Sequence, residues 1–220
     1  MSLRPVSWIR QALRRGLAAA LPRRVYITHG PPRPGAVCLT FDDGPHPDLT
    51  PPLLDLLARL GVPATFFVVG QEAEKYPDLI RRMAAEGHAV GNHSYSHPPR
   101  VTLTRRAAAA EVSEGAAAIG RILGRPPTLY RPPHGKVTAG DLWRLWRTGT
   151  TTVLWNADPK DYAKATAAEV RQWFRDRPPA PGDLILLHDV CTHALEVLPE
   201  VVGEARGRGL EFRTVSEWTA

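Results

Sequence analysis

Two adjacent carboxylates, Asp42 and Asp43, close the apolar run of "LTFDDGPHP" (residues 39–47), and Gly44 and Pro45 follow at once. Neighbouring side chains on an extended strand point to opposite faces, so both acids reach one cleft only if Gly44-Pro45 bends the chain. One acid can then hold a metal ion while the other stays free as a base. An Asx turn or helix N-cap accounts for a bare "DDG" about as well. "GNHSYSHPP" adds His93 and His97 at i, i+4. On a helical turn that spacing puts both imidazoles on one face, within reach of one ion. Two histidines and a carboxylate leave coordination positions open, as catalytic sites do and closed structural sites do not. Non-haem iron oxygenases use the same ligand types, so the set alone does not name the reaction.

These side chains need a frame to converge. From residue 36 onward, apolar strands alternate with helices. "AVCLTF" precedes a helix over 50–60, with Thr50 as N-cap and Gly61 ending it. "PATFFVV" precedes a helix through "PDLIRRMAAEG", and "HAVGNHS" precedes an alanine-rich helix over 103–123 with Gly124 beyond. "TLYRPP", "TTVLWNAD" and "GDLILLHD" each lead to a further helix, and "LEFRTVS" closes the series. Upstream, the prolines of "RVYITHGPPRPG" forbid helix and delay the first core strand. Strands apolar on both faces, interleaved with helices, predict an α/β fold with a parallel sheet. Seven of them predict a distorted (β/α)7-8 barrel, with the active site at the strand C-terminal ends. Those ends carry Asp42-Asp43, His93 with His97, Arg131 before "PPHG", Asp158 with Asp161, and His188-Asp189. No glycine-rich phosphate loop follows any strand, so a nucleotide site finds no support.

Composition narrows the partners. At 43% hydrophobic and 23% charged, the 220 residues read as one globular domain rather than a disordered or fibrous chain. The net charge of +6 suggests nucleic acid, but residues 1–41 hold seven arginines and no acid, leaving 21 basic against 22 acidic residues elsewhere. No basic–aromatic interleaving of the kind a nucleic-acid groove needs is present, so nucleic acid is not an expected partner. Cys38 and Cys191 form no CxxC and are read as reduced and structural. No run of about 18 apolar residues can span a membrane. At the N-terminus Ile9, Leu13, Leu17 and Ala20 share a helical face opposite Arg10, Arg14 and Arg15. That segment either docks on the domain or lies on an anionic membrane surface through residues 1–24. Arg14 and Arg15 interrupt any signal-peptide core, which favours the cytoplasm or the inner membrane face.

"TFDDGP", "HSYSH", "RPPHG", "DPKDY" and "LLH" occur in that order. Together they resemble the five motifs of the polysaccharide deacetylases, metal-dependent carbohydrate esterases acting on chitin, chitooligosaccharides, peptidoglycan and related N-acetylated sugars. The resemblance runs from about Ala36 to Val215, dividing the chain into a basic N-terminal segment with its proline-rich lead-in (1–35) and a deacetylase domain (36–220). It implies a distorted (β/α) barrel, secretion or envelope association in many members, and Zn²⁺ as cofactor, with Co²⁺ or Ni²⁺ as other candidates. It implies Asp43, His93 and His97 as metal ligands and Asp42 as catalytic base held by Arg131. The backbone N–H of His134 would face the oxyanion, Asp161 would orient the general acid His188, and Leu186 would line the acetyl pocket. Two positions depart from the family pattern. Tyr162 replaces a usual Trp, which makes the groove more polar, and His134 replaces a usual Tyr, which bears on substrate preference.

The chemistry makes its own demands on these residues. An amine leaves poorly unless protonated, and a carboxylate beside His188 would keep that imidazole charged. The expected activity is therefore removal of N-acetyl groups from an amino-sugar glycan. An O-acetyl (xylan-type) esterase, a metal-free glycosidase using Asp42 with Asp161, and a non-catalytic sugar-binding barrel are the alternatives.

Overall fold

The computed structural model describes residues 16–31, 35–164 and 166–219. Most of the predicted amphipathic N-terminal segment, Ile9 and Leu13 included, lies outside the described residues. No described helix is long and apolar enough to cross a membrane.

Eight parallel strands form a curled sheet: β1 (Tyr26–Ile27), β2 (Ala36–Asp42), β3 (Ala64–Val68), β4 (Ala89–Asn92), β5 (Leu129–Tyr130), β6 (Thr151–Val153), β7 (Leu184–His188) and β8 (Glu211–Phe212). Their order is β1-β6-β5-β4-β3-β2-β7, with β8 paired to β2. Helices cover the outside: α1 (Thr50–Leu60), α2 (Gly70–Lys75), α3 (Pro77–Ala85), α4 (Arg105–Leu123), α5 (Ala139–Arg147), α6 (Ala167–Asp176) and α7 (His193–Gly207). This is the distorted (β/α) barrel the apolar alternation predicted. The ring closes without a continuous ladder: the chain beyond β6 bridges Ala157 to Ile185 of β7, and the chain beyond β1 donates from Gly30 N–H to Gly182 O at 2.7 Å.

The buried strand β2 shows how the frame feeds the site. Its alternation sends Val37, Leu39 and Phe41 into the core beneath the helices, with Leu53, Leu57 and Leu187. The opposite face sends Ala36 and Cys38 into the barrel interior, beside Phe67, Val153 and Trp218. Thr40 and Asp42 continue that inward face toward the top. Register then aligns the tips: Asp42 pairs with His188, and Asn92 with Tyr130, so His93 and Arg131 emerge side by side.

Three local expectations are corrected. Thr50 is not the N-cap of α1; Leu49 is, and Thr50 turns its hydroxyl into the interior, while Gly61 ends the helix in the left-handed region as expected. The proline-rich lead-in does not delay the sheet, because Tyr26 and Ile27 form β1 against β6. The prolines at 31, 32 and 34 fall beyond those two residues, and the flanking carbonyls of Val25 and Ile27 accept from the Thr152 and Leu154 N–H groups. A short α2 precedes the predicted helix at 77–85.

Candidate active site

The bend after β2 is real and is made by Asp43 itself, whose φ of 77° lies in the left-handed region. Gly44 must be glycine for a separate reason: a Cβ there would sit 2.0 Å from Asp189 Oδ2. Both acids consequently face one cleft. Asp42 Oδ1 accepts a 2.6 Å hydrogen bond from Arg131 Nη1, which also donates to Thr40 Oγ1 at 2.8 Å. Arg131 is fully buried, with its guanidinium 4.1 Å from the centroid of the Phe67 ring. Burial pulls its pKa down and the Asp42 charge opposes this. A buried guanidinium held this way fixes the carboxylate rather than merely attracting it.

His93 and His97 do converge on Asp43, but not from a helical turn. Ser94 (φ 70°) and His97 (φ 57°) both adopt left-handed backbone in an irregular loop after β4. His93 Nε2 lies 3.4 Å and His97 Nε2 3.3 Å from Asp43 Oδ1. His93 Nδ1 contacts the Arg131 carbonyl at 2.7 Å, a contact that makes Nδ1 the donor and leaves Nε2 with its lone pair. Burial of the Asp43 carboxyl alone would raise its pKa; the adjacent His93, with His97 and His188, brings it to about 2. Burial, then the His93 charge, lower that of His97.

These groups fit a cation. Asp43 Oδ1 is buried without a hydrogen-bond partner, and the three potential ligand atoms lie within 4.8 Å of one another. Ligands about 2.0–2.1 Å from a tetrahedral ion lie roughly 3.3 Å apart, which matches both imidazole distances to Asp43.

Across the cleft, His188 Nδ1 is 2.7 Å from Asp161 Oδ1, and Asp161 Oδ2 accepts from the His188 backbone N–H at 2.7 Å. Burial opposes the charge on His188, but Asp161, followed by Asp42 and Asp43, raises its pKa to about 9. Its Nε2 stands 4.0 Å from Asp43 Oδ2. Tyr162, half exposed, packs edge-on against the His188 ring at 4.9 Å. His134, with a left-handed φ of 55°, sets its ring edge-to-face with that of His97, the centroids 5.0 Å apart. Leu186 is buried on β7 and donates its N–H to Ala157 O across the closing bridge.

One participant had no assigned role in the sequence. Asp189 is fully buried, Oδ1 has no partner, and Oδ2 accepts from Thr50 Oγ1 at 2.8 Å. Thr50 in turn accepts from His46 N–H, so Asp189 and Thr50 together hold the turn that carries Asp43. Burial and the Asp43 charge raise the Asp189 pKa to about 7. Nothing in "HDV" distinguishes this from a solvated loop acid. The nearest signal was Gly44, whose need to lack a side chain is visible only with Asp189 in place. Cys38 and Cys191 are both free, as expected, and Cys191 Sγ lies 3.6 Å from Asp161 Oδ2.

Residues 29–153 match the polysaccharide deacetylase family model. The chain is 35% identical over 201 residues to a chitooligosaccharide deacetylase of Rhizobium leguminosarum bv. trifolii, covering 89% of this chain and 90% of the relative. It is 31% identical over 194 residues to a peptidoglycan-N-acetylglucosamine deacetylase of Bacillus cereus, covering 86% and 70%. Among solved structures, a family 4 carbohydrate esterase from Streptomyces lividans in complex with acetate superposes with a TM-score of 0.75 at 35% identity, covering 82% of this chain and 92% of that one. Peptidoglycan deacetylase PdaC of Bacillus subtilis superposes with a TM-score of 0.77 at 32% identity, covering 83% and 89%. The chain belongs to the polysaccharide deacetylase family and is a carbohydrate deacetylase, a hydrolase of the kind grouped as family 4 carbohydrate esterases.

Proposed function

We propose that this enzyme removes N-acetyl groups from an amino-sugar oligo- or polysaccharide, with a divalent cation, Zn²⁺ by preference, held by Asp43, His93 and His97. The observation that carries the reading is the pairing of two unlike carboxylates. Asp43 Oδ1 is left without a hydrogen bond between two imidazoles, while Asp42 is held through Oδ1 by Arg131, with its Oδ2 3.6 Å from His93 Nε2. A cation there supplies Lewis acidity toward the acyl oxygen and a lower pKa for water.

The chain's own residues supply the remainder. Asp42, positioned by Arg131, takes the proton of the attacking water. His134 offers its backbone N–H to the oxygen on which negative charge develops. His188, kept protonated by Asp161, gives its proton to the departing amine. Leu186 lines the pocket for the acetyl methyl, and Tyr162 walls the groove beside His188. The raised pKa of His188 favours amide over ester cleavage, since an alkoxide leaving group needs a proton less than an amine does. The chitooligosaccharide and peptidoglycan activities named for relatives support an N-acetylated substrate.

Metal analysis combined with acetate release from chitooligosaccharides, peptidoglycan fragments and acetylated xylan tests this. Acetate from the amino-sugar substrates, lost in EDTA and restored by Zn²⁺, is expected. Release from acetylated xylan alone, or activity indifferent to chelation, overturns it.

A further inference from the structure

The segment leaving His97 runs through a 3₁₀ turn at Arg100–Thr102 into α4, and the segment leaving His134 runs through Thr138 into α5. Arg100 ties them together, with Nε 2.9 Å from Asp141 Oδ2 and Nη2 3.2 Å from Oδ1. Between them opens a cleft of about 410 Å³, lined by Arg100, Arg105, Thr138, Trp143 and Arg144 among others. Its one acid, Asp141, is already engaged by Arg100 and by the Thr138 cap. Among the described residues, no carboxylate comes within ion-pair distance of Arg105 or Arg144, in contrast to Arg100. Trp143 is 56% exposed, and the Arg147 guanidinium stands 4.9 Å from its ring centroid. Folding does not call for an indole left this exposed beside arginines without carboxylate partners.

The cleft is close to the reacting centre. Arg100 is three residues from His97, at most about 11 Å of extended chain, and Thr138 is four from His134, at most about 14 Å. Those bounds put the cleft within reach of the neighbouring units of a glycan whose acetamide lies at the metal cluster.

We propose that this cleft is a subsite for a carboxylate on a neighbouring unit of the glycan. The preferred substrate is then an acidic N-acetylated glycan of the peptidoglycan kind, not a neutral chitooligosaccharide. The inference rests on the deacetylase reading above and specifies its substrate. Trp143 presents a flat apolar face to a sugar ring, and Arg105 and Arg144 present guanidinium forks suited to carboxylate. A lipid surface would want basic residues around a protruding apolar face, whereas these line a concavity beside the reaction.

The test compares one N-acetylglucosamine–N-acetylmuramyl-peptide fragment in two forms, carboxylates free and carboxylates amidated, using the full-length, zinc-loaded enzyme. Exposed charge pairs contribute a few-fold each, so kcat/KM should favour the free acid about tenfold, through KM. That preference should shrink with added salt and vanish in the Arg105→Ala/Arg144→Ala variant. A ratio near one in the wild type, or a ratio unchanged in the double variant, overturns the subsite. So does an intact ratio with loss of binding to phosphatidylglycerol vesicles, which would make the patch a lipid contact. Equal turnover of both forms leaves the deacetylase reading standing; turnover of no N-acetylated glycan at all removes that reading instead.

Discussion

Asp42 and Asp43 are chemically identical and adjacent, yet the fold gives them different partners. The Arg131 guanidinium binds one carboxylate, and the other keeps an oxygen unbonded between imidazoles. Asp42→Asn should lower kcat by about 10²–10⁴ while metal content stays near that of the wild type, because only the base is removed; loss of metal along with activity would place Asp42 among the ligands. Asp161 acts on the opposite limb of the reaction. Since it raises the His188 pKa to about 9, the alkaline limb of kcat should lie above the ordinary histidine range, and Asp161→Asn should move it to lower pH. The same pair contributes to stability in the metal-free protein. A raised folded-state pKa means that the stabilisation is complete below the ordinary value of 6.5 and is lost as pH climbs through about 9. Thermal melts of wild type and Asp161→Asn at pH 6 and pH 9.5 should therefore converge at the higher pH.

At the scale of elements, the turn after β2 is held from beneath by the end of β7 and the start of α1. Asp189 sits against Gly44, Thr50 donates to Asp189, and His46 N–H donates to Thr50. Gly44→Ala would force a methyl against a buried, anchored carboxylate, an overpacking that costs about 1–3 kcal/mol or displaces the turn. The expected outcome is a lower melting temperature together with substoichiometric metal, since Asp43 moves with the turn; full metal occupancy would show the turn to be independent of Asp189. Thr50→Val removes the hydroxyl hydrogen bond to the buried Asp189 side chain and should cost about 1–3 kcal/mol by denaturant titration. The helix starts are more ordinary. Thr104, Thr138 and Thr166 each accept from the N3 backbone, and the last two complete capping boxes with Asp141 and Glu169.

For the whole molecule, the question is what closes a barrel whose strands do not form a continuous ladder. The single bridge at Ala157 is reinforced by side chains on the adjoining strand ends. Asn156 Oδ1 accepts from Leu184 N–H, Asn156 Nδ2 donates to Asp183 Oδ1, and Asp183 takes both Arg177 nitrogens at 3.0 Å. Asn156→Ala should destabilise by about 1–3 kcal/mol and lower kcat, because the loop carrying Asp158 and Asp161 leaves this seam. An unchanged kcat at reduced melting temperature would show that the seam holds the fold without setting the site. On the same side of the barrel, the chain after β1 joins the seam through Gly30 N–H to Gly182 O, and Ala18 and Leu21 pack with Val25, Tyr26 and Leu142.

Much of this was legible because it depends on local pattern. Two-faced apolar runs alternating with helices can bury themselves only in a parallel sheet covered by helices, and the strand tips of such a sheet collect ionisable residues on one side. That rule gathered Asp42, Asp43, His93, His97, Arg131, Asp158, Asp161, His188 and Asp189, the family resemblance chose among them, and the sheet register sets Asp42 beside His188 and Asn92 beside Tyr130. Spacing misled where local backbone departed from regular geometry. His93 and His97 looked like a helical pair, but left-handed Ser94 and His97 achieve the convergence instead, and Thr50 looked like a cap because its inward partner lies 139 residues away. Sequence by itself determined which side chains could do the chemistry, since residue type and strand-end position are local properties. Tertiary structure alone decided that Asp43 carries the unbonded oxygen, that Asp189 supports the turn beneath it, and that unpaired arginines gather beside Trp143. Each of those depends on what is excluded from water or left without a partner, and burial is a property of the packed chain rather than of any segment within it.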